Sequence, residues 1–252
     1  MRSLRNKRSD STNVVLAADS NYWWPALVLL SNLADNGIIE DASKPSIHLA
    51  YIDGFLRPWE KDFAREVAKK IGIDAQFHFL SVPATLPQPK HLYLTKTAMI
   101  RLELSNLLRF EPWLWLDTDT ILATNWSDLS KSFLPRVRHH EIIAARQWQV
   151  DTNRPLSMAN PDTYFNSGVM SCQTRTDYRE RYFAAFEVTG IGDQDVLNLV
   201  HESNTLLAPE WNTYGAALSN QSTRKAAKVL HFTGGTKPWH IDPKASEICA
   251  EK

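Results

Sequence analysis

The segment Pro112-Trp113-Leu114-Trp115-Leu116-Asp117-Thr118-Asp119-Thr120 limits the fold of this chain more than any other. Proline disfavours the helical region for the residue before it, so the segment starts extended. Four bulky apolar residues follow without a polar break. That is the pattern of a strand buried on both faces, as in the parallel or mixed sheet of an α/β fold. Residues i and i+2 of an extended chain point the same way, so Asp117 and Asp119 are expected to converge where the strand leaves the sheet. The carboxyl edge of an α/β sheet is where such folds bind ligands. Two neighbouring carboxylates repel each other, which makes a divalent cation their natural partner.

The flanking sequence alternates strand-like and helix-like segments. Asn13 to Ala18 is a short buried strand ending in Asp19-Ser20-Asn21, three residue types that cap helices, with Pro25 near the first turn of an apolar helix reaching Leu33. Ser46 to Ile52 is a second strand, Pro58 opens a helix with Phe63, Val67 and Ile71 as its apolar positions, and Gln76 to Leu80 is a third strand. A helix from about Thr95 to Leu108 carries Ile100, Leu104, Leu107 and Leu108 on one face and Thr97, Arg101 and Ser105 as a polar stripe. In the second half Glu141 to Arg146, Tyr164 to Cys172 and Lys228 to Phe232 read as strands. Tyr178 to Glu187 and the segment after Asp193-Gln194-Asp195 read as helices. This alternation predicts an α/β sandwich with a mixed, mainly parallel sheet in a single domain over residues 12–240. A basic, disordered tail is expected over residues 1–11 and a short tail over residues 241–252.

Composition narrows the function. With 252 residues, 43% of them hydrophobic, the chain can bury one substantial core. Its 28 basic and 28 acidic residues cancel, so no whole-molecule attraction to nucleic acid is expected. Two distant cysteines, Cys172 and Cys249, do not make a disulfide framework, and no secretory signal or membrane-spanning run is present, so a cytoplasmic location is expected. Arg2, Arg5, Lys7 and Arg8 offer a weak attraction to anionic lipid, which leaves a peripheral place at the inner face of a membrane as the alternative.

The Asp-x-Asp pair serves two chemistries. Leu116-Asp117-Thr118-Asp119-Thr120 fits haloacid-dehalogenase-type phosphatases, in which the first Asp is a phosphoryl nucleophile and the second a general acid and base, with Mg²⁺. More than a hundred residues precede it here, and Leu197 stands where the acidic motif of that class needs a later Asp. Four further segments bear on the choice: Ala17-Ala18-Asp19-Ser20-Asn21-Tyr22; then Tyr164-Phe165-Asn166-Ser167-Gly168-Val169 ahead of Gly192-Asp193-Gln194-Asp195-Val196-Leu197-Asn198; and His231-Phe232-Thr233-Gly234-Gly235-Thr236-Lys237-Pro238-Trp239. With Asp117-Thr118-Asp119 between them, the ordered set resembles the family 8 glycosyltransferases, over about Val14 to Trp239.

That resemblance implies a GT-A fold, a UDP-sugar donor, a Mn²⁺ ion (with Mg²⁺ as a substitute) and transfer of a hexose with retained anomeric configuration. By its motifs Asp19, Asn21 and Tyr22 match positions around the nucleotide, and Arg101 matches a basic residue contacting the donor. Asp117, Asp119 and His231 match the metal ligands, with Thr118 between the two carboxylates beside the nucleotide. Asn166, Asp193 and Gln194 match the positions holding the donor sugar, with Gln194 beneath the anomeric carbon, and Gly234 and Lys237 match the loop on the diphosphate. A front-face mechanism is favoured, because an amide oxygen is a poor nucleophile. The acceptor, whether carbohydrate, lipid-linked or protein, is not specified. The segment after Trp239 is not strongly basic, unlike the membrane-attaching tail of the lipopolysaccharide transferases. A binding protein that kept the donor site and lost turnover is the third reading.

Overall fold

The computed structural model describes residues 12–89, 95–134, 141–147, 162–173, 176–189, 192–201, 204–214, 217, 220–234, 237 and 239. The expected tails, Cys249 and residues 148–161 lie outside these. Seven strands form one sheet in the order β3-β2-β1-β4-β7-β6-β8. They are β1 (Asn13–Ala17), β2 (Ser46–Ile52), β3 (Phe77–Val82), β4 (Trp113–Leu116), β6 (Glu141–Arg146), β7 (Phe165–Gln173) and β8 (Asn204–Leu207). β1, β2, β3 and β4 run parallel, β7 is antiparallel to both β4 and β6, and β8 is parallel to β6. The mixed, mainly parallel α/β sheet expected from the sequence is therefore present. β4, the segment that ends in the two aspartates, is its middle strand.

The unbroken apolar run of β4 is explained by burial on both faces. Leu114 and Leu116 join one core with Val14, Leu16 and helix α1 (Trp23–Asp35), whereas Trp113 and Trp115 join the core of the opposite face with Val15, Met99 and Phe165. All four β4 side chains are at most 2% exposed. Fully burying residues of this size contributes roughly 1.5–3 kcal/mol each, which holds the strand's carboxyl end in place.

Three expectations need correction. The cap of α1 is Tyr22, without a side-chain hydrogen bond, rather than Asp19, Ser20 or Asn21. In α2 (Pro58–Lys70) the buried positions are Glu60, Ala64 and Ala68, while Phe63 is 52% exposed. Glu60 is drawn inward because it accepts hydrogen bonds from the Arg57 amide (2.6 Å) and the Ser20 hydroxyl (3.1 Å), pinning the loop after β1. The helix expected over Thr95 to Leu108 is a 3-10 helix, Lys96–Leu102, followed by the single turn α3 (Leu104–Leu107). Its polar stripe is not solvated: Thr97, Arg101 and Ser105 are all buried, where their side chains bond Asp19, Asp117 and Trp113. Asn166-Ser167-Gly168 lies inside β7, as the strand expected over Tyr164 to Cys172 implies.

A second, small sheet has the order β5-β10-β9, from Thr120–Leu122, Val229–His231 and Thr213–Tyr214. β10 runs antiparallel to β5 and sets His231 opposite Thr120. The sequence reading did not anticipate β5, α4 (Trp126–Phe133), β8 or β9.

Candidate active site

The two aspartates converge, but not by strand alternation. β4 ends at Leu116, and Asp117 to Thr120 form a turn in which the Thr120 amide and hydroxyl both donate to the Asp117 carbonyl, at 3.0 and 2.7 Å. The turn folds Asp119 back beside Asp117. His231 arrives from β10, locked by its pairing with Thr120 and by the Phe232 amide donating to the Asp119 carbonyl (2.9 Å). Its Nε2 lies 3.2 Å from Asp119 Oδ1 and 3.6 Å from Asp117 Oδ2. One potential ligand atom from each residue falls within a 4.8 Å group. Two carboxylate oxygens and one imidazole nitrogen form a donor set that suits a divalent transition ion.

The local charge balance points the same way. Lys237 Nζ donates to Asp119 Oδ2 (2.5 Å) and to the Phe232 carbonyl (2.8 Å), and it is 6% exposed. An internal ammonium thus stands against the carboxylate group where a cation is wanted. Burial alone would raise the Asp119 carboxyl, but His231 and Lys237 hold it well below the usual carboxylate range.

Gly168 makes the close approach feasible. Its carbonyl accepts from the Asp117 amide (2.8 Å), and a Cβ there would lie 2.2 Å from His231 Cε1 and 2.8 Å from Asp117 Oδ2. Only glycine lets β7 pass this near the cluster.

The remaining motif residues are joined to the cluster mainly through Arg101, from the 3-10 helix. Its Nη2 donates to Asp117 Oδ1 (2.8 Å), its Nη1 to the Ser167 carbonyl (2.6 Å), and its Nε lies 3.0 Å from Asp193 Oδ2. The guanidinium also lies 4.5 Å from the centroid of the Trp115 ring, whose Nε1 donates to Asp117 Oδ1 (2.7 Å). Arg101 is 4% exposed, so its nitrogens are engaged by protein groups on all sides. Asp193, at the start of α6 (Asp193–Val200), also accepts from the Ser167 hydroxyl (3.0 Å). Burial raises its carboxyl, the Asp117 charge adds to this, and Arg101 opposes it. Gln194 receives the Ser167 amide on Oε1 (3.3 Å) and donates from Nε2 to Gln147 Oε1 (3.0 Å) and to the Tyr164 hydroxyl (3.1 Å). Its amide oxygen and nitrogen are thereby oriented.

Asp19 is tied to the same group from the far side. Its Oδ2 accepts from the Thr97 hydroxyl (3.1 Å), one turn before Arg101, and its Oδ1 from the Asn21 amide (2.9 Å). Tyr22 is half-buried; burial and the negative charges of Asp119, Asp19 and Asp117 push its phenol up to about 12. Its ring meets Trp239 edge-on at 6.0 Å. Thr118 is buried in the turn. Asn166 accepts from the Gly168 amide (2.9 Å) and Asn212 Nδ2 (2.8 Å) on its side-chain oxygen. Asn21 and Gly234 stand apart: both are exposed, and Gly234 has φ +90°, in the region glycine favours. Trp115, Ser167, Gly168 and Asn212 also build the site, although the sequence motifs assign them no role. Trp115 is legible in principle, since it precedes Asp117 by two residues in the same strand line. Ser167 and Gly168 lie within a quoted motif, but their roles, like that of Asn212, follow only from contacts across the fold.

A phosphatase reading finds no support in this geometry. Asp117 Oδ1 already accepts from Arg101 and Trp115, and Asp119 is bound to Lys237 and His231 instead of being set to deliver a proton.

A glycosyl transferase family 8 model matches residues 13–242. General stress protein A of Bacillus subtilis (strain 168) is 24% identical over 268 residues, covering 94% of this chain and 91% of that protein. The fold is similar to that of the galactosyltransferase LgtC solved with donor and acceptor sugar analogues, with a TM-score of 0.72 at 20% identity and 95% and 94% of the two chains covered. It is also similar to the glycosyltransferase GlyE of Streptococcus pneumoniae TIGR4, with a TM-score of 0.63 at 17% identity, covering 92% of this chain and 57% of that one. The sheet around β4 thus has the GT-A type of architecture, and the family match spans nearly all of the sequence: the chain belongs to glycosyl transferase family 8.

Proposed function

We propose that this glycosyltransferase moves a hexose, glucose or galactose, from a UDP-sugar to a carbohydrate, lipid-linked or protein acceptor with retained configuration. The observation that carries the reading is the joining of two groups of residues: the Asp117, Asp119 and His231 cluster, and Asp193 bound to it through Arg101. Mn²⁺, or Mg²⁺ in its place, held by the cluster would supply Lewis-acid stabilisation of the UDP leaving group.

The chain's own groups complete the chemistry. Asp19, Asn21 and Tyr22 lie at the end of β1, where they bind base and ribose; Thr118 and Gly234 border the phosphates. Lys237 exchanges its Asp119 partner for the diphosphate, adding positive charge where negative charge develops. Arg101 holds Asp117 and Asp193 in fixed relation, and with Asn166 borders the sugar. Asp193 and Asn166 take the sugar's hydroxyls, and Gln194 Oε1 faces the anomeric carbon, where it stabilises oxocarbenium character in a front-face substitution. Among the described residues no helix is long and apolar enough to cross a membrane. We place the enzyme in the cytoplasm, with at most peripheral contact at the inner face of a membrane through its basic N-terminal segment.

The test is UDP release from UDP-glucose and UDP-galactose, with and without Mn²⁺. Metal-dependent UDP release is expected from one of them. No release from any UDP-sugar, together with no stabilisation by UDP plus Mn²⁺, overturns the proposal. UDP-sugar binding that never leads to release would instead mark a binding protein.

A further inference from the structure

We infer that Asn212 is a positioning residue that fixes the tautomer of His231 and couples the metal ligand to the donor-sugar side of the site. The inference rests on the metal reading of Asp117, Asp119 and His231. Asn212 ends the short 3-10 helix Pro209–Asn212 and is 0% exposed. Its side chain makes two hydrogen bonds, both to motif residues. Its Nδ2 lies 2.8 Å from Asn166 Oδ1, and its Oδ1 lies 2.8 Å from His231 Nδ1.

The direction of every proton in this chain follows from one backbone amide. Gly168 N–H can only donate, and its partner, 2.9 Å away, is the Asn166 side chain, which must therefore present its oxygen. That oxygen can only accept, so Asn212 must turn its NH₂ toward Asn166. The Asn212 oxygen is then left facing His231, and an amide oxygen accepts only. His231 must carry a proton on Nδ1, so Nε2, which faces Asp117 and Asp119, is the nitrogen available to a metal. Partners of this kind set the orientation and basicity of a metal-binding histidine. The same amide holds the carboxamide of Asn166, so one buried side chain aligns a metal ligand and a sugar-side group. The residues joined are 19 and 46 positions from Asn212, which is why no local motif discloses it.

Ring ¹⁵N spectra of the metal-free wild-type protein test the proton chain directly. A proton on Nδ1, bonded to Asn212, is expected. An unprotonated Nδ1 overturns the inference whether or not a metal binds, and so separates its failure from that of the functional reading. Mn²⁺ titration followed by electron paramagnetic resonance provides the second arm. Asn212→Leu, confirmed as folded by its far-ultraviolet spectrum, should weaken Mn²⁺ by about 10–100-fold. Asn212→Asp keeps an acceptor for His231 and removes the donor to Asn166. It should hold Mn²⁺ within a few-fold of wild type while weakening the UDP-sugar more than UDP. Wild-type Mn²⁺ affinity in a folded Asn212→Leu variant, or equal weakening of UDP and the UDP-sugar in Asn212→Asp, contradicts the assignment.

Discussion

Asp119 faces two basic side chains of the site, His231 and Lys237, together. Asp119→Asn keeps the shape and removes the charge, and should weaken Mn²⁺ by at least about 100-fold, the upper end of what outer-lying partners of a metal site cost. Mn²⁺ titration in the presence of UDP measures this, and unchanged binding would refute the metal assignment. Gly168→Ala tests the close approach. Its methyl would meet the His231 ring at 2.2 Å, in a strand tied to Asp117 by a backbone hydrogen bond. A loss of roughly 1–3 kcal/mol of stability in chemical denaturation is expected, with loss of metal binding. Gln194→Ala should lower turnover by about 10²–10³-fold, the scale of losing one electrostatic stabiliser. UDP affinity should be nearly kept, because Gln194 bonds Ser167, Gln147 and Tyr164 and none of the cluster. Asp117, Asp119 and His231 were legible as residue types in an ordered motif. Asn212 was not, since an asparagine in Pro209–Asn212 has nothing in its surroundings along the chain to distinguish it.

At the scale of elements, the opposite edge of the sheet has its own polar joint. His48 of β2 bonds Asn13 Oδ1 of β1 through Nε2 (2.9 Å), and Asn13 Nδ2 in turn donates to Glu111 Oε2 (3.2 Å) and the Pro112 carbonyl (3.1 Å) before β4. Burial, aided by the nearby His78 ring, lowers the His48 pKa from 6.5 to about 4. The folded protein keeps His48 neutral in this interval while the unfolded chain takes up a proton. Its contribution is therefore complete above pH 6.5 and falls as the pH drops toward 4, by on the order of 2–3 kcal/mol. Denaturant melts between pH 7 and pH 4 should show this slope, and His48→Gln should flatten it. The mainly apolar elements β1, β2 and β4 are legible in the sequence to within a residue or two of their bounds. The 3-10 helix Lys96–Leu102 is not, because the partners that fix its polar stripe, Asp19, Asp117 and Asp193, belong to other elements.

For the whole molecule, the proposed donor site draws on both halves of the chain, with β1 and β4 on one side and β7, α6 and β10 on the other. A ligand that bridges these halves binds the folded state alone. UDP with Mn²⁺ at about 100 times its dissociation constant should add about 2.7 kcal/mol, raising the melting temperature by roughly 5–10 °C. UDP without metal should give a smaller shift, and Asp119→Asn should remove the difference. Equal shifts with and without metal in the wild type would contradict a metal-bridged diphosphate.

Sequence alone determined that this chain is an α/β protein, that β4 is buried on both faces, and that Asp117 and Asp119 lie at its carboxyl end. It also carried the family in the order of its motifs. These follow because apolar periodicity and turn chemistry record how each segment meets solvent, which is a local property. Only the tertiary structure decided that the aspartates meet through a turn, that His231 joins them by the pairing of β10 with β5, and that Arg101 lies buried between Asp117 and Asp193. The same holds for Gly168, needed for the approach of β7, and for Asn212, which aligns His231. Each is a relation between residues far apart in the chain, set by strand order and register, and no single segment's composition records it.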